Sequence, residues 1–371
     1  MPTVGVNLLW LVPGTVGGSE ESTIRSLLAV ATELTGRVNL RAYVRPELVA
    51  AHPALAESIE LVQVPGLLES KAARVIAENT WLSIVSRHDD VVHHAGGAVT
   101  LTGTRPMIAT IHDLQPLDMP ENFSPAKRRW LGWLLPLTVR RAKRIVVPSQ
   151  FTADRCTELL GATAEQLVVV PHGYEAGPLG TVPSGLDGAS YLLFPGIAYP
   201  HKRHVDAITA FAELRATFPD LRLVFTGRPA DESPSLKRQV ASLGLGDSVH
   251  FLGRVPAEQL AALYSNAKAL VFPSIYEGFG YPVLEAMAHG CPVVGVAASA
   301  VPEVAGDAGL IVAPNDPQQL AAALRSLLQD PELAARHVAA GVRRAADFTY
   351  QANGEALARV YCDALGLPST T

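Results

Sequence analysis

At 371 residues the chain is too long for one ordinary core, and two domains are expected. Hydrophobic residues at 48% against 18% charged exclude a disordered chain, and a net charge of −5 gives no general pull toward nucleic acid. Three widely spaced cysteines, Cys156, Cys291 and Cys362, support neither a disulfide framework nor a metal cluster, which fits a reducing cytosol.

The apolar start, Val4–Val12, has no basic flank and runs into a glycine loop, so it reads as a buried strand rather than a signal peptide. No apolar run reaches the ~20 residues that span a bilayer. The expectation is a soluble cytoplasmic protein, at most peripheral on the inner face of the cell membrane. After the loop 13–18 a helix is predicted over Ser22–Leu34. Strands follow at Asn39–Val44, Asp90–His94, Met107–His112, Arg144–Pro148 and Leu167–Pro171. The cluster His88, Asp89, Asp90, His93 and His94 could suggest a metal. A strand sends neighbours to opposite faces, so few of these side chains converge. Residues 127–144 form a basic stretch without an acid, and Trp130, Trp133, Leu134 and Leu137 recur in it at helical spacing. One reading is a peripheral membrane face; the other is a core-packed helix with a solvated basic side.

Glycine and proline crowd 176–189, the expected linker. The rhythm then restarts: a strand at Tyr191–Pro195, a helix at Val205–Phe218, and strands at Leu221–Thr226, Val249–Leu252, Ala269–Phe272, Pro292–Val296 and Gly309–Val312. Alternating strands and helices predict two doubly wound α/β domains, 1–175 and 190–349, facing a cleft. The last helix, Tyr350–Leu365, is expected to cross back onto the first domain.

The most informative segment is Pro273–Val294. Glu277 opens a glycine turn with Gly278 and Gly280, Pro282 suits the first position of a helix, and Glu285 follows among apolar neighbours. A strand, a glycine turn and a helix N-terminus make an anion site. Two carboxylates beside it suit the hydroxyl groups of a sugar nucleotide. Lys202 follows a strand and the turn at Gly196, and offers a point charge to a diphosphate. His112 and Asp113 end a strand of the first domain, where Asp113 would cap the next turn. Gly17, Gly18 and Ser19 precede the first helix, a weak phosphate-loop signal. Glu20 and Glu21 would compete there with a bound anion.

The string from Glu277 to Val294 closely resembles the E-x7-E signature of retaining GT-B glycosyltransferases of family 4. Val249–Pro256, Leu260–Tyr264, Pro302–Val304, Ile111–Leu114, Pro120–Ser124 and Val146–Phe151 continue the resemblance along nearly the whole chain. The pattern around His112 and Pro120 is most similar to bacterial mannosyl- and rhamnosyltransferases. The resemblance implies two Rossmann-like domains and catalytic roles for His112, Glu277 and Lys202. It implies donor contacts from Gly196, Lys202, Arg228, Arg254, Val255, Glu277, Gly278, Phe279, Gly280, Tyr281 and Glu285, with Glu285 on the ribose. Gly17, Gly18 and Ser19 would serve the acceptor. The resemblance implies a nucleotide sugar as substrate, with no cofactor and no metal expected. GDP-mannose is the first expectation, and a dTDP- or UDP-linked sugar, including rhamnosyl transfer, the second. The acceptor would be a glycan or lipid-linked molecule of cell-envelope polysaccharide or glycolipid synthesis. A two-lobed sugar-binding protein is the non-enzymatic alternative. Many relatives carry an arginine where this chain has Ile197. Either Lys202 suffices, or Arg203, Arg228 or Arg254 would replace it, Arg228 being the best placed of the three.

Overall fold

The computed structural model describes residues 1–15, 18–66, 68, 70–103, 105–228 and 233–368. The chain divides into two units, Met1–Gly173 with Phe348–Thr371, and Tyr174–Asp347. The stretch 176–189 therefore falls inside the second unit, where the Gly180 amide donates to the Glu258 carbonyl at 2.8 Å.

In the first unit the described strands are β1 Thr3–Asn7, β2 Asn39–Val44, β3 Glu60–Gln63, β4 Val91–His94, β5 Met107–Thr110, β6 Ala142–Val147 and β7 Leu167–Val169. They form one parallel sheet in the order β3-β2-β1-β4-β5-β6-β7. β1 is shorter than the predicted Val4–Val12. The Asn7 side chain accepts the Leu9 amide at 3.1 Å and turns the chain. Leu8, Leu9 and Leu11 stay buried without being strand. β3 was not predicted, because an edge strand with exposed Glu60 and Gln63 carries little apolar signal. Helix α1, Gly18–Glu33, packs on the C-terminal helix, Tyr350–Leu365. A Cβ on Gly354 would sit 2.7 Å from the Ala29 methyl, so the two helices approach as closely as glycine allows. Helix α2, Lys71–Ala77, continues into a π-helical turn, Glu78–Leu82. Helix α3, Pro125–Arg141, begins at a Ser124 cap and ends before β6. The basic stretch expected as one helix over 127–144 is thus helix and then strand, with Arg144 on β6.

The second unit repeats the scheme with β8 Tyr191–Pro195, β9 Arg222–Thr226, β10 Val249–Phe251, β11 Ala269–Phe272, β12 Val293–Val296 and β13 Gly309–Val312. These are parallel in the order β10-β9-β8-β11-β12-β13. β8, β11 and β12 are buried at every position, as strands covered by helices on both faces must be. Among the helices are α4, His204–Arg215, α5, Ala257–Asn266, and α6, Tyr281–Ala288. Strand order reverses between β1 and β4 in one unit and between β8 and β11 in the other. Ligands of open α/β sheets bind at the carboxyl ends beside such points.

Candidate functional site

In the second unit, β8 and β11 each end in a turn that carries a charged side chain. Gly196, at φ 146, turns the chain after β8 toward a short 3-10 turn at Pro200–Lys202. Glu277 follows β11. Lys202 Nζ donates to Glu277 Oε1 at 2.5 Å, and the Ser274 hydroxyl donates to the same oxygen at 2.7 Å. Both side chains are largely enclosed, 15% and 13% exposed. Lys202 also lies 5.4 Å above the Phe272 ring. The Glu277 amide donates to Ser299 Oγ at 2.9 Å, and Ser299 itself adopts a left-handed φ of 51. Backbone and carboxylate of Glu277 are therefore both fixed. The chain then enters α6 through Gly280, at φ 98, with Pro282 in the first turn. This places a helix N-terminus within three residues of the Lys202–Glu277 pair.

Glu285 lies one turn along α6. The Tyr264 hydroxyl of α5 donates to Glu285 Oε2 at 2.7 Å. Among the described residues, the other carboxylate oxygen has no hydrogen-bond partner. Burial pushes the Glu285 carboxyl up to about 7, against the pull of the tyrosine. The Tyr264 ring stacks on His289, whose Nε2 meets the Tyr174 hydroxyl at 2.9 Å. Tyr174 stands edge-on to Tyr281 at 6.0 Å.

The loops after β8, β9 and β10 are laced together. The Gly196 amide donates to the Thr226 carbonyl at 2.8 Å, and the Gly227 amide to the Gly253 carbonyl at 2.9 Å. A Cβ on Gly227 would stand 2.4 Å from the Gly196 carbonyl oxygen, so that crossing requires glycine. Arg228 and Arg254 are exposed on these neighbouring loops, and Val255 is half-buried beside Arg254. Arg203 is committed elsewhere: it holds Asp206 through two bonds of 2.8 and 3.0 Å.

His112 belongs to the first unit, just beyond the end of β5. Its Nε2 donates to the Ala95 carbonyl at 2.9 Å, and its ring stacks on His172 at 6.0 Å. Burial lowers its pKa, so the imidazole is neutral. Asp113 accepts the Gln115 amide at 2.9 Å and caps the following turn. His93 bonds Tyr361 and Thr110, at 2.7 and 2.8 Å, while His94 faces Asn7 at 3.4 Å. The two histidines thus take opposite faces of β4. Gly17 lies outside the described residues, as does the Ser19 side chain; Gly18 begins α1. Glu20 is satisfied within the protein, by the Gly14 amide at 2.8 Å and by His52 at 2.9 Å.

The structure thus joins Lys202 to Glu277 and sets Gly278–Gly280 and Glu285 on the same loop and helix. Sequence reasoning missed three supporting residues: Ser274, Ser299 and Tyr264. Ser274 had a signal, since it stands three residues before Glu277 in a turn. Ser299 comes from another element and had none, and Tyr264 lies in the resembling segment Leu260–Tyr264 but nothing there pointed to Glu285 as its partner.

Two family models cover most of the chain. One described as glycosyltransferase family 4 matches residues 25–176, and one described as glycosyl transferases group 1 matches residues 184–344. The chain is 31% identical to a D-inositol 3-phosphate glycosyltransferase of Thermobispora bispora over 90% of its own length and 84% of that protein's. It is 28% identical to O-antigen chain mannosyltransferase B of Escherichia coli over 71% of this chain and 72% of that one. Among solved structures, Anabaena HepE in complex with UDP and glucose superposes with a TM-score of 0.74 at 20% identity, covering 98% of this chain and 100% of that one.

Proposed function

For a chain that belongs to glycosyltransferase family 4 and has the GT-B fold, we propose retaining transfer of a hexose, mannose from GDP-mannose, onto a glycan or lipid-linked acceptor. The observation that carries the reading is the Glu277 carboxylate, held by Lys202, Ser274 and the turn at Ser299, at the entrance to the helix that bears Glu285. The sugar C1–oxygen bond breaks and electrons pass to the departing diphosphate. Lys202, the amides of Gly278, Phe279 and Gly280, and the start of α6 stabilise that charge without reorganising. Arg228 and Arg254 extend the positive field from the loops after β9 and β10. Glu277 receives hydroxyls of the transferred sugar, and Glu285 those of the ribose. The acceptor oxygen bonds to C1 on the face the diphosphate leaves, and its proton passes to a diphosphate oxygen. His112 spends its Nε2 proton on Ala95, which leaves Nδ1 as an acceptor for a sugar hydroxyl. No metal enters these steps.

Mannose is favoured because several relatives are named mannosyltransferases. Solved neighbours with UDP or UDP-glucose make a UDP-sugar the second donor to try. Incubation with GDP-mannose, UDP-glucose and a dTDP-sugar, scoring free nucleoside diphosphate and the product anomer, tests the reading. Release of GDP with the α-anomer retained is expected. No release from any donor, or an inverted product, would sink it. Cell-envelope synthesis at the inner membrane face belongs to the same proposal. Among the described residues no helix is long and apolar enough to cross a membrane, and any membrane contact is assigned to the exposed start of α3.

A further inference from the structure

The Glu285 carboxylate is gripped by one oxygen and open at the other. Oε2 accepts the Tyr264 hydroxyl at 2.7 Å. Oε1 has no hydrogen-bond partner among the described residues, and Glu285 keeps part of its surface open. Tyr264, by contrast, is 1% exposed. Its place is fixed from several directions. The Tyr191 hydroxyl of β8 donates to the Leu263 carbonyl at 2.8 Å, which anchors the end of α5 to the sheet. The Tyr264 ring lies parallel to the His289 ring, with centroids 6.0 Å apart. His289 is pinned in turn by its amide, which donates to the Glu285 carbonyl at 3.1 Å, and by the Tyr174 hydroxyl, 2.9 Å from Nε2. The phenol is thus ordered before any ligand arrives, and no rotamer freedom is lost when it acts.

A hydroxyl that donates to a carboxylate favours the ionised form, whereas burial favours the neutral acid. Both act on Glu285: burial raises its pKa and the Tyr264 bond pulls it down. The titratable groups around the carboxylate are Tyr264 from α5, His289 from the end of α6, Cys291 from the turn before β12 and Tyr174 from the stretch that opens the second unit. Burial lowers the His289 pKa and pushes the Cys291 thiol up to about 12, so both are uncharged. Among the described residues, the phenol is the group that favours the anion.

Building on the donor reading above, we propose that Tyr264 is a positioning residue of the nucleotide site: it holds Glu285 by one oxygen, presents the other to the ribose, and lets the nucleotide bind at a lower pH than the enclosed carboxylate would allow alone. Without the phenol more of the protein carries a neutral Glu285, with a proton on an oxygen that the ribose hydroxyls need. That proton must pass to solvent before the hydroxyls can donate.

The affinity of the whole protein for GDP and UDP, each read as a ratio to its 2′,3′-dideoxy form, tests this. The two forms share base and phosphates, so the ratio isolates the hydroxyls. In the wild type the advantage of the hydroxyls should grow about tenfold from about pH 6 to about pH 8. Tyr264→Phe keeps the ring and its stack but loses a bond to a charged group. It should move that rise upward by about one pH unit, weakening the nucleotide about tenfold at about pH 6 and not at all by about pH 9. A role in packing alone would lower affinity equally at every pH or leave it unchanged. Should Tyr264→Phe fail to fold, Tyr264→3-fluorotyrosine, a more acidic phenol of nearly the same shape, must move the rise downward instead. A rise in Tyr264→Phe at the wild-type pH, or a loss that is uniform with pH, overturns the proposal and leaves Glu285 on the ribose. A wild-type ratio that is flat with pH, dideoxy forms that bind as well as their parents, or no binding of either nucleotide removes the reading on which it rests.

Discussion

Lys202 and Glu277 satisfy each other so closely that neither can be removed alone without leaving a charge in an enclosed place. Glu277→Gln keeps the size and removes the charge. It should lower kcat by about a hundredfold or more, since charge placed for the transition state is lost. It should also destabilise the protein by about 3 kcal/mol, as breaking one partner of an enclosed pair does. Turnover and a denaturant melt read the two effects separately; unchanged turnover would remove Glu277 from the site. Glu285 makes a different prediction. Its folded pKa, about 7, lies above the ordinary 4.5, so the native state binds the extra proton. Its contribution to stability is full below pH 4.5 and is lost as pH rises through about 7. The ribose hydroxyls proposed above as its ligands would donate to the ionised form. Nucleotide affinity should therefore rise about tenfold from about pH 6 to about pH 8, and Glu285→Gln should flatten the profile. The turn and helix start that carry both glutamates were legible in the sequence, because glycines at 278 and 280 and a proline at 282 mark them. The ion pair was not: its partners are 75 residues apart, and only the folded sheet brings their strand ends together. The Tyr264–Glu285 bond was invisible for the same reason, since Tyr264 lies on α5 while its partner lies on α6.

Among the elements, strand positions were read well where both faces are buried, as at β8 and β11. They were read poorly where a local side chain intervenes. Asn7 ended β1 through its own turn, against an apolar run that continues to Val12. Helix α3 shows a second limit of periodicity. Its apolar residues recur at helical spacing, yet its two ends lie in different surroundings. Leu134, Leu135 and Val139 are buried, while Trp130 and Trp133 are 39% and 50% exposed, beside exposed Lys127, Arg128 and Arg129. An exposed tryptophan pair next to three cations suits an anionic lipid surface. Flotation with vesicles containing anionic lipid should carry the protein upward at low salt. Arg128→Glu with Arg129→Glu should leave most of it at the bottom, since each cation near such a surface is worth about 1 kcal/mol. Equal flotation on neutral vesicles would rule out this electrostatic docking.

At the scale of the whole molecule, the first unit is made from two separated stretches of chain. The C-terminal helix buries Leu357, Val360 and Tyr361 in the same core as Val30 and Leu34 of the first helical region. Burial of three such side chains, at about 2 kcal/mol each, is comparable with the whole margin of a domain, about 5–15 kcal/mol. Deleting residues 348–371 should therefore melt the first unit and spare the second. Hydrogen exchange would show protection lost in β1 and β4 and kept in β8 and β11; equal loss in both units would contradict the division. The alternation of strands and helices made the two sheets legible. The close seat of the last helix, set by Gly354 against Ala29, depends on an absent side chain and left no trace in any pattern.

That seat has a consequence for the order of synthesis. A ribosome delivers β1 first, but the surface that covers α1 arrives only when residues 350–365 have emerged. By then the whole of 174–347 has been outside the tunnel and free to fold. The unit that begins first is thus completed last, and during translation its unpaired helix face is the surface most in need of a chaperone.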